Sequence, residues 1–266
     1  MHWKNKKWRL QWGRIVVQII FFLLAPALFS QAFGGIKEVF TALGSGAALH
    51  TSSFLLCLVI LCGLTIVFGR IFCGWMCAFG AVGDWIYQFS VFLQKKTGKK
   101  LPKIPKKALP ILQKLKYIVL VLVLALCFAG QSGGVTKYSP WTVFSLITAG
   151  NLKLGGYGTA LFLFILILIG MAVQERFFCQ FLCPMGAVFS LLPEIPFLKL
   201  RRKADSCIPN CQACKNNCPV HIKLEENPLQ EGECIRCGRC TQICPRANIC
   251  IGISKNDQKS DKTIEA

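Results

Sequence analysis

Arg70-Ile-Phe-Cys73-Gly-Trp-Met-Cys77-Ala-Phe-Gly80-Ala-Val82 recurs 106 residues later as Arg176-Phe-Phe-Cys179-Gln-Phe-Leu-Cys183-Pro-Met-Gly186-Ala-Val188. Each copy follows a long uncharged stretch and precedes an apolar one. A fixed offset over thirteen positions reads as an internal repeat, with repeat one over 15–94 and repeat two over 115–193, both in the same orientation. Duplicated halves of this kind direct attention to the interface between them, by analogy with transporters.

Outward from the motif, the chain is unlike a soluble protein. Hydrophobic residues make up 53% and charged residues 16% of its 266 positions, and mean hydropathy is +0.49, whereas soluble chains carry about 25% charged residues. Four stretches are long enough to cross a hydrocarbon core of about 30 Å, which takes roughly 20 helical residues: 15–35, 52–69, 117–134 and 154–174. Residues 1–32 also have the basic start, apolar run and small residues of a signal peptide. The length of the run favours an uncleaved anchor.

The net charge of +19 does not point to nucleic acid, because the basic residues alternate with long uncharged stretches. With the N-terminus inside, 28 of the 31 Lys and Arg residues fall on the cytoplasmic side, as the positive-inside rule requires. Both termini are therefore expected in the cytoplasm of a multi-pass protein of the cell membrane. Segments 71–94 and 177–193 are apolar too. A crossing at 71–94 would export the nine lysines between Lys95 and Lys116, so both segments read as re-entrant or interfacial helices. Trp75, Trp85 and Trp141 read most simply as interface anchors. Asp84, the lone acid of its segment, is either a functional ionisable group or an interfacial one.

Twelve of the sixteen cysteines fall into regular groups; Cys57, Cys62, Cys127 and Cys250 do not and read as small buried apolar residues. In the repeated motif, Cys73 with Cys77 and Cys179 with Cys183 are spaced i, i+4, which on a helix puts both sulfurs on one face. They are either small packing residues, a redox dithiol pair, or one four-thiolate metal site shared between the repeats. Arg70 and Arg176 would favour thiolates there.

The polar last third carries two further runs, Cys207-Ile-Pro-Asn-Cys211-Gln-Ala-Cys214-Lys-Asn-Asn-Cys218-Pro219 and Cys234-Ile-Arg-Cys237-Gly-Arg-Cys240-Thr-Gln-Ile-Cys244-Pro245. The second matches C-x2-C-x2-C-x3-C-P without deviation, the pattern of two-cluster ferredoxins, in which the fourth cysteine of each run ligates the other cluster. This assigns Cys234, Cys237, Cys240 and Cys218 to one 4Fe–4S cluster, and Cys207, Cys211, Cys214 and Cys244 to the other. Zinc sites use separated cysteine pairs and fit poorly. The three-residue gap between Cys207 and Cys211 departs from the pattern and leaves a 3Fe–4S form open for that cluster.

The expected architecture is an all-α polytopic membrane domain over 1–198, with four transmembrane helices in two repeats plus the two re-entrant or interfacial helices. An α+β two-cluster ferredoxin-like domain follows over 199–252. The charged tail, 253–266, is expected to be disordered.

Paired spans, two Cys-x3-Cys motifs and two ferredoxin runs together resemble the NapH-type membrane ferredoxins, over about residues 10–252. The membrane parts of nitrous-oxide-reductase maturation proteins and of cytochrome-oxidase accessory ferredoxins are similar. Ala78 stands in the first motif where the family has proline. The resemblance implies a quinol-dehydrogenase-type oxidoreductase component that passes electrons between the quinol pool and a redox protein partner through two 4Fe–4S clusters. It carries the family's cluster ligands onto the eight cysteines above, and its paired membrane cysteines onto Cys73, Cys77, Cys179 and Cys183. The alternative is an assembly factor that reduces metals or thiols during maturation of another respiratory enzyme. A redox sensor ranks last, because no output or DNA-binding motif is present.

Overall fold

The computed structural model describes residues 2–48, 50–99, 101–102, 104–105, 108–151, 153, 155–193, 198–202, 207–208, 210–222, 231–246 and 248–253. Its elements, in chain order, are α1 (His2–Leu24), α2 (Leu28–Ser45), α3 (Ser53–Phe68), α4 (Ile71–Trp75), α5 (Ala78–Thr97), α6 (Leu109–Phe128), α7 (Ser132–Tyr138), α8 (Pro140–Thr148), α9 (Gly158–Val173), α10 (Phe177–Phe181), α11 (Pro184–Leu191), β1 (Leu198–Arg202), α12 (Ala213–Asn216), α13 (Arg239–Ile243) and β2 (Ile249–Ile253).

The four expected spans do not stand as four membrane-crossing helices. Among the described residues only α6 is long and apolar enough to cross a bilayer by itself, or two segments if α1 and α2 count as one broken span. The first apolar stretch breaks at Ala25–Ala27 and turns by 63° between α1 and α2. Pro26 lies in the break, where its ring removes a backbone donor and crowds the preceding turn. The second and fourth stretches give α3 and α9, 16 residues each, or about 24 Å at the helical rise. That falls short of the hydrocarbon thickness of about 30 Å. Uncharged length exceeded helical length because each helix stops early. α3 ends on Gly69 at φ +68°. α9 ends at Gln174 in extended backbone, and Arg176 follows at φ +57°.

After each stop the chain makes the same succession, a five-residue helix, a break, and a second helix: α4 then α5, α10 then α11. The core sits between these segments. Phe79 of α5 is its hub, with ring centroids 4.5 Å from Phe178, 4.9 Å from Phe144 and 6.2 Å from Phe164 and Phe29. Such ring pairs, stacked, tilted or edge-on, add about 0.5–1.5 kcal/mol each beyond the area they bury. Trp141 is buried in this cluster against Phe33, 4.9 Å away, and is not an interface anchor. Trp85 sits edge-on to Phe22 at 5.4 Å.

The expected C-terminal α+β domain is also corrected. Its described residues form short helices, loops and one two-stranded antiparallel ribbon, with Leu198 opposite Ile253 and Arg202 opposite Ile249. Leu200, Val220, Ile222, Ile235 and Ile249 are buried in the same hydrophobic core as the long helices. A segment this short buries little surface by itself, and its apolar side chains complete the core of the helices instead. The expectation of a disordered tail falls, from residue 254 on, outside the described residues.

Asp84, 1% exposed, resolves the ambiguity left by the sequence. It accepts from the guanidinium of Arg14, from Gln18 Nε2 at 3.1 Å, and from Arg176 Nε at 2.7 Å and Nη2 at 2.5 Å. It joins α1, α5 and the start of α10 through one carboxylate. Removing it leaves two buried guanidinium groups without an anion. Asp84→Ala is therefore expected to cost on the order of 3–5 kcal/mol, while Ile111→Ala, 73% exposed, should leave the melting midpoint of purified protein nearly unchanged.

Candidate functional site

Three groups of cysteines gather in the structure, and the fifteen cysteines whose side chains are described are free thiols. The first group is Cys207, Cys211, Cys214 and Cys244, which line one small cavity together with Arg202, Arg246 and Ile249. Asn210 at φ +59° turns the chain between Cys207 and Cys211. Three thiols thus come from the first run and one from the end of the second.

The second group is Cys218, Cys234, Cys237 and Cys240. Their thiols lie close enough to oppose each other's ionisation: burial, then neighbouring Cys237 and Cys218, pushes Cys240 up to about 12. Burial likewise raises Cys234. Working against this, the backbone N–H groups of Val220, His221 and Ile222 point at the Cys218 sulfur, that of Arg236 at Cys234 and that of Thr241 at Cys240. Left-handed backbone at His221, Arg236 and Gly238 shapes these loops. Crowded, buried thiols that collect amide donors suit a cationic core that takes them as thiolates. Both groups cross between the runs, as a pair of cubane clusters would need.

The third group is Cys73, Cys77, Cys179 and Cys183, between 5% and 8% exposed. All four line one enclosed cavity with Arg70, Phe72, Phe79, Phe178 and Phe189. The helical-face expectation for each pair changes in its geometry. Cys73 and Cys179 lie within the short helices, but Cys77 and Cys183 occupy the extended N-cap positions of α5 and α11, and Cys183 Sγ accepts from Gly186 N at 3.2 Å.

The second and third groups adjoin. A side chain at Gly74 would overlap the carbonyl oxygen of Ile235. Trp75 Nε1 donates to Arg236 O at 3.1 Å, so its indole anchors the second run rather than a membrane surface. Gln11 Nε2 donates to Cys237 O at 3.3 Å, and Arg239 pairs with Glu175 at 2.5 Å. Sequence reasoning missed Glu233. Its carboxylate binds Arg70 at 2.8 Å and the fully buried Lys116 at 2.5 Å, and accepts from Tyr117 Oη at 3.1 Å. The one available signal was an acid placed immediately before the first cysteine of a run. Among the described residues no set of three or more His, Cys, Asp or Glu side chains is arranged to hold a single metal ion. A cubane, with irons at separate corners, takes thiolates that stand farther apart.

The contact at Gly74 makes a direct prediction. Gly74→Val should lift the Ile235 segment from α4. In chelator-stripped protein, Cys234 and Cys237 should then react several-fold faster with maleimide, while the already exposed Cys211 should not change.

The family model for a 4Fe-4S binding domain matches residues 51–100 and 158–203. These segments hold the two motif copies and end before Cys207. The chain is 33% identical over 243 residues to the uncharacterized protein MJ0750 of Methanocaldococcus jannaschii, covering 90% of this chain and 94% of that one. To MJ0749 of the same organism it is 29% identical over 255 residues, covering 94% and 91%. It is also 28% identical over 186 residues to the ferredoxin-type protein NapH of Haemophilus influenzae, covering 66% of this chain and 59% of NapH. No solved structure matches it. A chain that carries the 4Fe-4S binding domain twice and shares nearly its whole length with one relative at this identity belongs to the NapH-type membrane ferredoxin family.

Proposed function

We propose that this protein is a membrane-bound iron–sulfur electron carrier, passing electrons singly between the quinol pool and a redox protein partner through two 4Fe–4S clusters. The observation that carries the reading is the gathering of eight thiols into two sets that cross the two runs. Cys234, Cys237, Cys240 and Cys218 hold the inner cluster. Cys207, Cys211, Cys214 and Cys244 hold the outer one. Each cluster, once bound, takes up and releases one electron without bond rearrangement.

The two sets differ in how accessible they are. Cys234 and Cys237 are each 8% exposed and pack toward α4, whereas Cys211 is exposed. The outer set is therefore where a soluble partner can approach closely. Membrane association is supported by a belt of exposed apolar side chains on four helices, including Leu23 (72%), Val59 (59%), Ile118 (64%) and Phe162 (66%). Apolar surface this extensive marks contact with lipid or protein. The basic residues that flank the apolar segments support a cytoplasmic position for the cysteine-rich face.

Support for quinol comes from a cavity of about 640 Å³ between α6, α7, α8 and α9. Its wall is apolar, with Gln131, Tyr138 and Ser139 as its polar groups, as suits a ring with two oxygens on a greasy tail. Phe178 borders both this cavity and the four-cysteine cavity. Oxidising one quinol releases two electrons and two protons, so the chain must carry electrons away one after the other.

Two measurements test the reading. Anaerobically purified Cys218→Ala and Cys244→Ala should each lose about four irons with matching sulfide, and each should lose a different electron paramagnetic resonance signal. Stoichiometric zinc with negligible iron would overturn it. Leu163→Trp, which narrows the large cavity, should slow cluster reduction by added quinol while iron content holds. An unchanged rate removes quinol from that cavity.

A further inference from the structure

We infer that Cys73, Cys77, Cys179 and Cys183 hold a third iron–sulfur cluster, sealed between the two motif copies. The inference rests on the reading above, that this chain moves electrons through clusters, and adds the site where they enter.

Four buried cysteines could simply pack as small apolar groups. The side chains around them argue otherwise. Arg70 is 2% exposed and lines the same cavity. Its Nη1 is occupied by Glu233 and the carbonyl of Gly232, 2.8 and 3.1 Å away. Its Nε is buried without a hydrogen-bond partner. A buried guanidinium donor left unpaired among phenylalanines is costly, and thiolate or inorganic sulfur in the cavity would satisfy it. Arg176, the equivalent residue of the second copy, is 1% exposed and donates to the carbonyl of Cys73.

The arginines are exchanged between the copies. A Cβ on Gly80, in the first copy, would collide with Arg176 Nη1. One on Gly186, in the second, would press on Arg70 Nη2. Glycine in both motifs thus leaves room for the other copy's cation beside the cysteines. The charges also match. Arg14 and Arg176 share the single carboxylate of Asp84. Arg70 and Lys116 share the single carboxylate of Glu233. Each group keeps one positive charge in excess, while a cubane with four thiolate ligands is a dianion in its oxidised form. Buried charge is tolerated where it is compensated in this way.

A single ion is a poorer occupant, since no three ligating side chains here are arranged around one point. The position suits a relay. On one side Phe178 separates the cavity from the 640 Å³ apolar chamber. On the other, Gly74 and Trp75, one and two residues after Cys73, press on Ile235 and Arg236 between the ligands Cys234 and Cys237. Held by these four cysteines, a cluster would supply a one-electron relay between a donor in the chamber and the set formed by Cys218, Cys234, Cys237 and Cys240.

The test is a count of iron and sulfide on three anaerobic preparations of the full chain, with electron paramagnetic resonance on each. Wild type should hold about twelve irons. C73S/C77S/C179S/C183S should hold about eight and keep the signals of both the inner and the outer cluster. C218A/C244A should hold about four, in the buried site alone. If the quadruple variant does not fold, the wild-type count and the double variant still decide. Counts of eight in wild type and near zero in C218A/C244A would sink the third cluster and leave the two-cluster reading intact. About four irons in wild type, unaffected in C218A/C244A, would do the reverse. Zinc in place of iron at the four cysteines would also overturn the inference.

Discussion

Two guanidinium groups, Arg70 and Arg176, are buried where the chain turns out of α3 and α9, and much of the structure follows from neutralising them. A buried cation needs a carboxylate within reach, and the two copies obtain theirs differently. Arg176 finds Asp84 on α5, in the other copy. The position equivalent to Asp84, 106 residues on, is Ser190, which has no charge to offer. Arg70 instead takes Glu233, which belongs to the C-terminal cysteine segment. Ser190 Oγ is hydrogen-bonded to Tyr117 Oη at 2.9 Å, and Tyr117 in turn donates to Glu233. The cysteine segment therefore completes the ion network of the helical body.

This requirement explains why the second cysteine run sits on the helices rather than apart from them. Glu233 immediately precedes Cys234, so satisfying Arg70 and Lys116 fixes the start of the second cysteine run. Arg239 is held by Glu175, which lies beside Arg176, so the end of the loop is fixed by the other copy. Between these two ion pairs, Ile235 is buried to 1% exposure against a glycine that admits its carbonyl. An electron carrier gains from such rigidity. Separation between redox centres is then set by packing, and little rearrangement accompanies each charge change.

Helix length was the feature least available from hydropathy. A sliding count of uncharged residues cannot see that Gly69 takes positive φ, that Pro26 breaks a helix between Leu24 and Leu28, or that residues 69–77 and 174–183 must turn inward to bring the cysteines together. Apolar residues in those turns are buried in protein, which looks the same to a composition window as burial in lipid.

The sequence by itself displayed the recurring motif and the two four-cysteine runs, and their spacing suggested a partition of the eight thiols into crossed sets, because spacing is a local property of the chain. It also marked Cys73, Cys77, Cys179 and Cys183 as a group, through their identical offset. Only the tertiary structure decided that these four face one cavity, that each arginine serves the opposite copy, and that Glu233 and Lys116 belong to the site. Those facts depend on contacts between residues up to 163 positions apart. Such contacts are selected by the free energy of burying charge with its partner, and no window of sequence contains both members of the pair.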